Sequence, residues 1–228
     1  MRGVLASQPA LHRVVPVGEV VRNDMEVHPY ESATALVEGA EAWANGECIC
    51  RKQKALVGEA CGHPLDLCLA ISSRPGAFDG SPTMQVLDRQ GALDALKRAS
   101  EAGLVHTVSN NQQDVTYICN CCTCSCGILR GMAELGMANV VARSAFVNRV
   151  DEALCAACGA CVERCAFGAL TLDGVAQVNI ARCVGCGVCV LACPEGALAL
   201  VRRPEEEVLP PETYEEWGRE RLARRSAA

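Results

Sequence analysis

The sequence is poor in aromatic residues and has no long apolar run. Two Trp, three Tyr and three Phe accompany an apolar content of 50% in 228 residues. No stretch approaches the roughly 18 apolar residues of a membrane span, and His12, Arg13 and Pro16 interrupt the N-terminal apolar run, which argues against a secretion signal. We therefore expect a cytoplasmic protein with no membrane span, whose interior is partly filled by something other than side chains.

Several functional fingerprints are also missing. The sequence contains no GxGxxG after a strand, no GxxxxGK[ST] loop, no CxxCH haem site and no convincing Ser–His–Asp set. Its net charge of −6 is unfavourable for a nucleic-acid partner. We expect a protein partner and no nucleic acid.

Cysteine is the residue type in excess, with 17 copies. An odd number in a chain of this length does not suggest a disulfide framework, which is typical of short secreted domains. Reduced cysteines in such numbers favour metal binding, because thiolates are soft ligands.

A 28-residue internal repeat carries eight of these cysteines. Each copy has the spacing C-x₂-C-x₂-C-x₃-C, and Phe167–Leu172 matches Glu195–Leu200 beyond it. The first three thiols of a run can surround one iron–sulfur cube, while the fourth points toward the other cube. A zinc ribbon, built from two CxxC pairs, would leave one cysteine over. The predicted ligands are Cys155, Cys158, Cys161 and Cys193 for one [4Fe-4S] cluster, and Cys183, Cys186, Cys189 and Cys165 for the second.

Residues 146–203 thus resemble the bacterial two-cluster ferredoxins. The resemblance implies an α+β, ferredoxin-like fold with a pseudo-twofold axis, two short helices and short β-hairpins, and one-electron transfer at low potential by each cluster. The second run ends in Cys193-Pro194, as in that family, whereas the first ends in Cys165-Ala166. Since proline only shapes the turn, we expect Cys165 to remain a ligand.

Nine further cysteines precede the repeat. They form a first packet and a second packet: Cys48, Cys50, Cys61 and Cys68; then Cys119, Cys121, Cys122, Cys124 and Cys126. The first packet could bind a third [4Fe-4S] cluster, the second could bind a fourth, or the packets could share one site. Adjacent Cys121 and Cys122 cannot easily reach one cube, so some thiols would be spare or redox-active. We expect one or two further iron–sulfur clusters here, with Arg51 either a partner for cluster charge or a solvated side chain.

Residues 28–205 also resemble a group of anaerobe-type 4Fe-4S dicluster proteins with an extra N-terminal cysteine-rich region. Four motifs carry this resemblance: Cys48-Ile-Cys50-Arg51, Cys61-Gly-His63-Pro64 with Cys68, Gly103-Leu-Val-His106 and Asn120-Cys121-Cys122. The group is named for its clusters, so the resemblance adds little about chemistry, and its relatives often have more sequence ahead of this point. We also expect a place in anaerobic metabolism, as an oxidoreductase subunit.

The expected organisation has three parts. Residues 1–145 should form a mostly helical cysteine-rich domain, with helices over 29–44 and 88–102. Residues 146–203 should form the ferredoxin domain, and residues 204–228 a charged tail with a helix over 212–225.

These features predict an electron-transfer protein, or an electron-transfer subunit, that exchanges single electrons with a partner oxidoreductase. A first alternative is an enzyme in which an N-terminal cluster with only three cysteine ligands is catalytic. A second is a redox sensor that responds through neighbouring thiols such as Cys121 and Cys122.

Overall fold

The computed structural model describes residues 2–21, 26–137, 140–203 and 209–226. They contain both helices and strands, as expected for an α+β protein. The α-helices are α1 (Arg2–Ala6), α2 (Ala33–Glu38), α3 (Ile49–Leu56), α4 (Arg89–Glu101), α5 (Leu129–Ala133), α6 (Ala160–Arg164), α7 (Val188–Leu191) and α8 (Tyr214–Ser226). The strands are β1 (His12–Val14), β2 (Ala42–Gly46), β3 (Cys68–Ser72), β4 (Met84–Leu87), β5 (Val105–Ser109), β6 (Tyr117–Cys121), β7 (Val141–Ala142), β8 (Phe146–Val150), β9 (Leu170–Asp173), β10 (Val175–Val178) and β11 (Leu198–Arg202).

A seven-stranded sheet forms the framework of the described part of residues 1–145. Its order is β4-β2-β3-β6-β5-β1-β7, and its pairs are antiparallel except for β1 with β7. Helices α2 and α4 cover one face, where Val37 and Leu96 pack with strand residues such as Ile71 and Ile118. On the opposite face Val14 and Val105 pack in a second core with Phe146 and Val184.

The expectation of a mostly helical N-terminal domain is wrong. The helix predicted over 29–44 ends at Glu38, because Gly39 caps α2 and the following residues pair as β2 with β3 and β4. Alanine-rich strands of five residues or fewer carry too little alternation to be distinguished from helix.

The second predicted helix is confirmed as α4. The Asp88 side chain accepts a hydrogen bond from Gly91 N at 2.7 Å, as an N-cap does. At the other end Gly103 has a φ of +77°, and Leu104 N donates to Ala99 O at 2.9 Å. This closing turn is the one that a left-handed glycine permits.

The cysteine repeat forms two β-α-β units, β8-α6-β9 and β10-α7-β11. Strand β8 pairs with β11, and β9 pairs with β10, both antiparallel. Each two-stranded sheet therefore contains one strand from each unit.

One apolar core joins the repeat to the N-terminal part of the chain. Val17 and Val20 pack with Phe146, Val184 and Leu200. Val17 N also donates to Cys186 O at 3.0 Å. The packing is thus continuous across the sequence boundary at 145/146.

The C-terminal helix α8 returns to the N-terminus, where Trp217 Nε1 donates to Ala10 O at 2.8 Å. Residues 204–208 and 227–228 of the predicted tail lie outside the described residues. Within the described ranges, every helix is too short or too polar to cross a bilayer.

Candidate metal centres

The eight cysteines of the repeat are arranged as two quartets. The first quartet, Cys155, Cys158, Cys161 and Cys193, lines one cavity together with Leu172 and Leu198. The second quartet, Cys165, Cys183, Cys186 and Cys189, lines another cavity beside Phe167 and Val184. In each quartet the last cysteine of one run lies with the first three of the other run.

The thiols of each quartet influence one another electrostatically. Burial raises the pKa of the Cys186 thiol to about 12, and the neighbouring Cys165 and Cys183 thiols act in the same direction. Burial also raises the pKa of the Cys161 thiol, and the nearby Cys193, Cys155 and Cys158 thiols raise it further. Several negative charges cannot share such a space without a cation, and a bound metal reverses this preference by deprotonating its thiol ligands.

Hydrogen-bond donors point at these sulfur atoms. Ala169 N donates to Cys165 Sγ, and its repeat equivalent Ala197 N donates to Cys193 Sγ, both at 3.3 Å. The buried Asn148 side chain donates to Cys189 Sγ at 2.8 Å. Donors directed at sulfur stabilise thiolates and tune iron–sulfur clusters.

The loops turn toward the cavities through left-handed backbone. Gly159 and Gly187 both have a φ of +78° and begin α6 and α7. A Cβ atom on Gly185, at φ +70°, would lie 2.0 Å from Phe146 O, so this position requires glycine. The thiols, the donors and the turns together fit a [4Fe-4S] group in each quartet, and such a group supplies one-electron redox chemistry when bound.

The quartets differ in exposure. The first quartet has one exposed cysteine, Cys158, and one buried cysteine, Cys161, whereas the second has no exposed cysteine and two buried ones, Cys183 and Cys189. Cys165 and Cys186 pack against the core that connects the repeat to the N-terminal sheet. The first quartet therefore faces solvent and the second faces the rest of the protein.

Six of the remaining cysteines form a closed ring, in which each thiol interacts with the next. We call this the six-thiol ring, and its order is Cys48, Cys50, Cys126, Cys121, Cys119, Cys68 and back to Cys48. The Cys50 and Cys68 thiols lower the pKa of Cys48 to about 2, while Cys126 and Cys48 raise the pKa of Cys50. The ring thus favours one negative charge, and further thiolates would need a bound cation.

Strand geometry places Cys119 and Cys121 of the ring on the face of the sheet opposite α2 and α4. Side chains alternate along a strand, and on β6 Ile118 belongs to the core under α2 and α4, whereas Cys119 and Cys121 face the opposite side. Asn120, which lies between Cys119 and Cys121 in sequence, is held in place by His106, whose Nδ1 is hydrogen-bonded to Asn120 Oδ1. His106 is fully buried and acts as a structural support for this strand.

The other three cysteines converge beyond the end of β6. Cys61, Cys122 and Cys124 form the thiol triad, whose sulfur atoms all lie within 4.8 Å of one another. The Cys61 and Cys122 sulfurs are 4.0 Å apart, and Ser125 Oγ donates to Cys61 Sγ at 3.4 Å. Cys122 packs in the α2/α4 core, so adjacent Cys121 and Cys122 serve different groups.

Arg51 lies between the ring and the triad with 1% of its surface exposed. Nη1 donates to Asn120 O at 3.0 Å, while Nε and Nη2 have no oxygen or nitrogen partner among the described residues. Burial acts to lower the pKa of Arg51, yet the Cys48, Cys122 and Cys68 thiols hold it above its ordinary value. Its neighbours are therefore sulfur atoms of both groups.

This grouping differs from the packets suggested by sequence. Cys61 does not lie with Cys48, Cys50 and Cys68, because the chain between them carries it to Cys122 and Cys124. The second packet is likewise divided, with Cys119, Cys121 and Cys126 in the ring. Sequence reasoning missed Asn148 and Ser125. The only hints were that Asn148 is a polar residue within an apolar strand and that Ser125 lies between two cysteines.

Comparison with known proteins bears on the repeat alone. Residues 154–198 match the family model of the 4Fe-4S dicluster domain. No curated protein and no solved structure matches the chain. The match contains all eight cysteines of the two quartets, so this segment is a 4Fe-4S domain of the ferredoxin type, which supports a role in iron–sulfur electron transfer.

Proposed function

We propose that this protein relays single electrons between the six-thiol ring and the surface of the ferredoxin-type repeat, where a partner oxidoreductase docks. Two [4Fe-4S] clusters would bind to the quartets and one further iron–sulfur cluster to the ring. The observation that carries the proposal is the shared core: Cys121 and Cys126 of the ring pack in the same buried cluster as Phe167 and Val184, which line the second quartet.

The arrangement of the quartets supports crossed ligation. Cys193 faces the first three cysteines of the first run, and Cys165 faces those of the second. Because Cys165 also packs in the apolar clusters that contain Cys161 and Cys183, one short helix connects the two cavities. The order ring, second quartet, first quartet follows from these contacts.

The ring is suited to a cluster of several metal atoms. Neighbouring thiols of the ring interact around a closed loop. No three of them have sulfur atoms within 4.8 Å of one another; in the described chain only the thiol triad does. Six thiols can supply four ligands, so the ring does not leave a cluster with an incomplete cysteine set. This favours an electron carrier over a catalytic cluster.

The first quartet provides the exit to solvent. Exposed Cys158 lines its cavity together with Leu172, which is 45% exposed, and Leu154, next to Cys155 in sequence, is 53% exposed. Asp151, Glu152 and Asp173 are exposed in the same segments. We infer that the partner presents a basic patch with an apolar centre, since opposite charge accelerates such encounters. A cytoplasmic location and a place in anaerobic metabolism remain predictions of this proposal.

Anaerobic purification of the full chain tests the proposal directly. Iron and acid-labile sulfide should each number about 12 per chain, and reductive titration should take up about three electrons, one for each cluster. About eight irons and two electrons would remove the ring from the relay. A protein that contained iron but exchanged no electrons with a low-potential donor would overturn the function itself.

A further inference from the structure

We propose that the thiol triad binds one zinc ion at a site separate from the iron–sulfur clusters, with its fourth coordination position open to solvent. Three soft ligands converge there: Cys61, Cys122 and Cys124 have sulfur atoms within 4.8 Å of one another. Thiolates favour ions such as Zn²⁺ over hard cations.

The distances distinguish a single ion from a cube. With zinc–sulfur bonds of about 2.3 Å, tetrahedral geometry places two ligand sulfurs about 3.8 Å apart. Cys61 and Cys122 are 4.0 Å apart. A cube spreads its ligands more widely, because each thiolate binds a different iron at a different corner. The quartets of the same chain provide the contrast: within the residues described, no three of their sulfurs converge as those of the triad do.

The surroundings of the triad suit a net negative charge. One Zn²⁺ and three thiolates sum to a charge of −1, and the buried Arg51 guanidinium, whose pKa the Cys122 thiol raises, can balance it. Ser125 Oγ donates to Cys61 Sγ at 3.4 Å. Such donors orient metal ligands and stabilise their charged form.

The fourth position has no protein ligand in this geometry. The ring nitrogens of His63, two residues from Cys61, do not fall within the triad's 4.8 Å limit. Cys124 is exposed, so water can reach the ion from its side. Three protein ligands and one water are typical of zinc sites that remain open to exchange.

Metal analysis of the full chain, purified without oxygen and washed with a chelator, tests this site. We expect about one zinc per chain beside the iron. Zinc-edge X-ray absorption should give about three sulfur neighbours at about 2.3 Å and one lighter atom. Cys124→Ser should lose the zinc and keep the iron, because its exposed side chain belongs to no cluster.

Two variants serve as controls. Cys158→Ser changes the exposed cysteine of the first quartet, and should lose iron while keeping the zinc. Ser125→Ala removes a donor but no ligand, and should weaken zinc binding about 10- to 100-fold in competition with a chelator. The proposal is overturned if the wild-type chain contains iron alone, if Cys124→Ser loses iron in place of zinc, or if alkylation of fresh samples shows a Cys61–Cys122 disulfide.

Discussion

The two cysteine-rich regions of this chain position their thiols by different means. In the repeat, short loops and the first turns of α6 and α7 hold eight thiols apart around two cavities, and the thiols act on one another through their charge. In the N-terminal region, strands and connecting loops gather nine thiols into the six-thiol ring and the thiol triad. The repeat is therefore a scaffold for cubes of fixed size, whereas the sheet supports a ring and a triad of different size.

The largest effect should come from breaking the crossed arrangement of the quartets. Cys165→Ala should lose about four irons per chain and the low-temperature EPR signal of the cluster bound by Cys183, Cys186 and Cys189. The reason is that Cys165 lies with those cysteines although it follows the first run in sequence.

Cys158→Ala is the matched variant, and it should lose the other cluster. Iron content will be equal in the two variants, so the EPR signals must show which cluster each variant has lost. The same signal missing from both would mean that each run binds its own cluster.

Arg51 lies between the six-thiol ring and the thiol triad, and its removal should give the second-largest effect. Arg51→Met should lower the free energy of unfolding by about 3–5 kcal/mol, because it leaves buried negative charge without its partner. Zinc and iron content should fall as well. Chemical denaturation of the anaerobic protein, followed by metal analysis, measures both effects.

Arg98→Met provides the comparison on the surface. Arg98 and Asp66 form an ion pair at 2.9 Å with both side chains 53% exposed, so its loss should cost at most about 1 kcal/mol. High salt should abolish this smaller effect and leave that of Arg51. If Arg51→Met retained full metal content, the charge-balancing role would be wrong.

The attachment of the repeat to the N-terminal part of the chain can be measured with two equivalent glycines. Gly159 and Gly187 share a φ of +78°, so alanine should cost each about 1 kcal/mol through backbone strain. At Gly187 the added Cβ would also lie 2.3 Å from Val20 Cγ2, whereas at Gly159 nothing lies within 4 Å. We therefore expect Gly187→Ala to cost about 1–3 kcal/mol more in unfolding experiments. Equal losses of unfolding free energy in the two variants would show that Val20 moves away from the added Cβ at no cost.

The difference between the regions also explains what could be predicted. Ligand spacing in the repeat is local, so the quartets and the turns at Gly159 and Gly187 follow from a short stretch of sequence. The ring depends on strand register: Cys68 meets Cys119 because Leu69 pairs with Ile118. Register is fixed by long-range pairing that a few alternating residues do not specify. The strict alternation Cys119-Asn120-Cys121 was the available hint, since in a strand it puts both thiols on one face.

The smallest effect concerns the electronic difference between the quartets. Asn148 donates to Cys189 Sγ at 2.8 Å in the second quartet, while its Oδ1 has no partner among the described residues. Asn148→Leu removes this donor and fills the same space. A hydrogen bond to sulfur raises the reduction potential of a cluster. Its net free energy of about 1 kcal/mol corresponds to about 40 mV for a one-electron couple.

We expect voltammetry to show one of the cluster potentials about 40 mV lower in Asn148→Leu, with the first quartet unchanged. Asn179→Ala is the control, because this exposed side chain accepts only the Arg182 amide at 3.2 Å. It should leave every potential in place. A downward shift of both quartets in Asn148→Leu, or of neither, would show that the Asn148 contact does not distinguish the buried cluster from the exposed one.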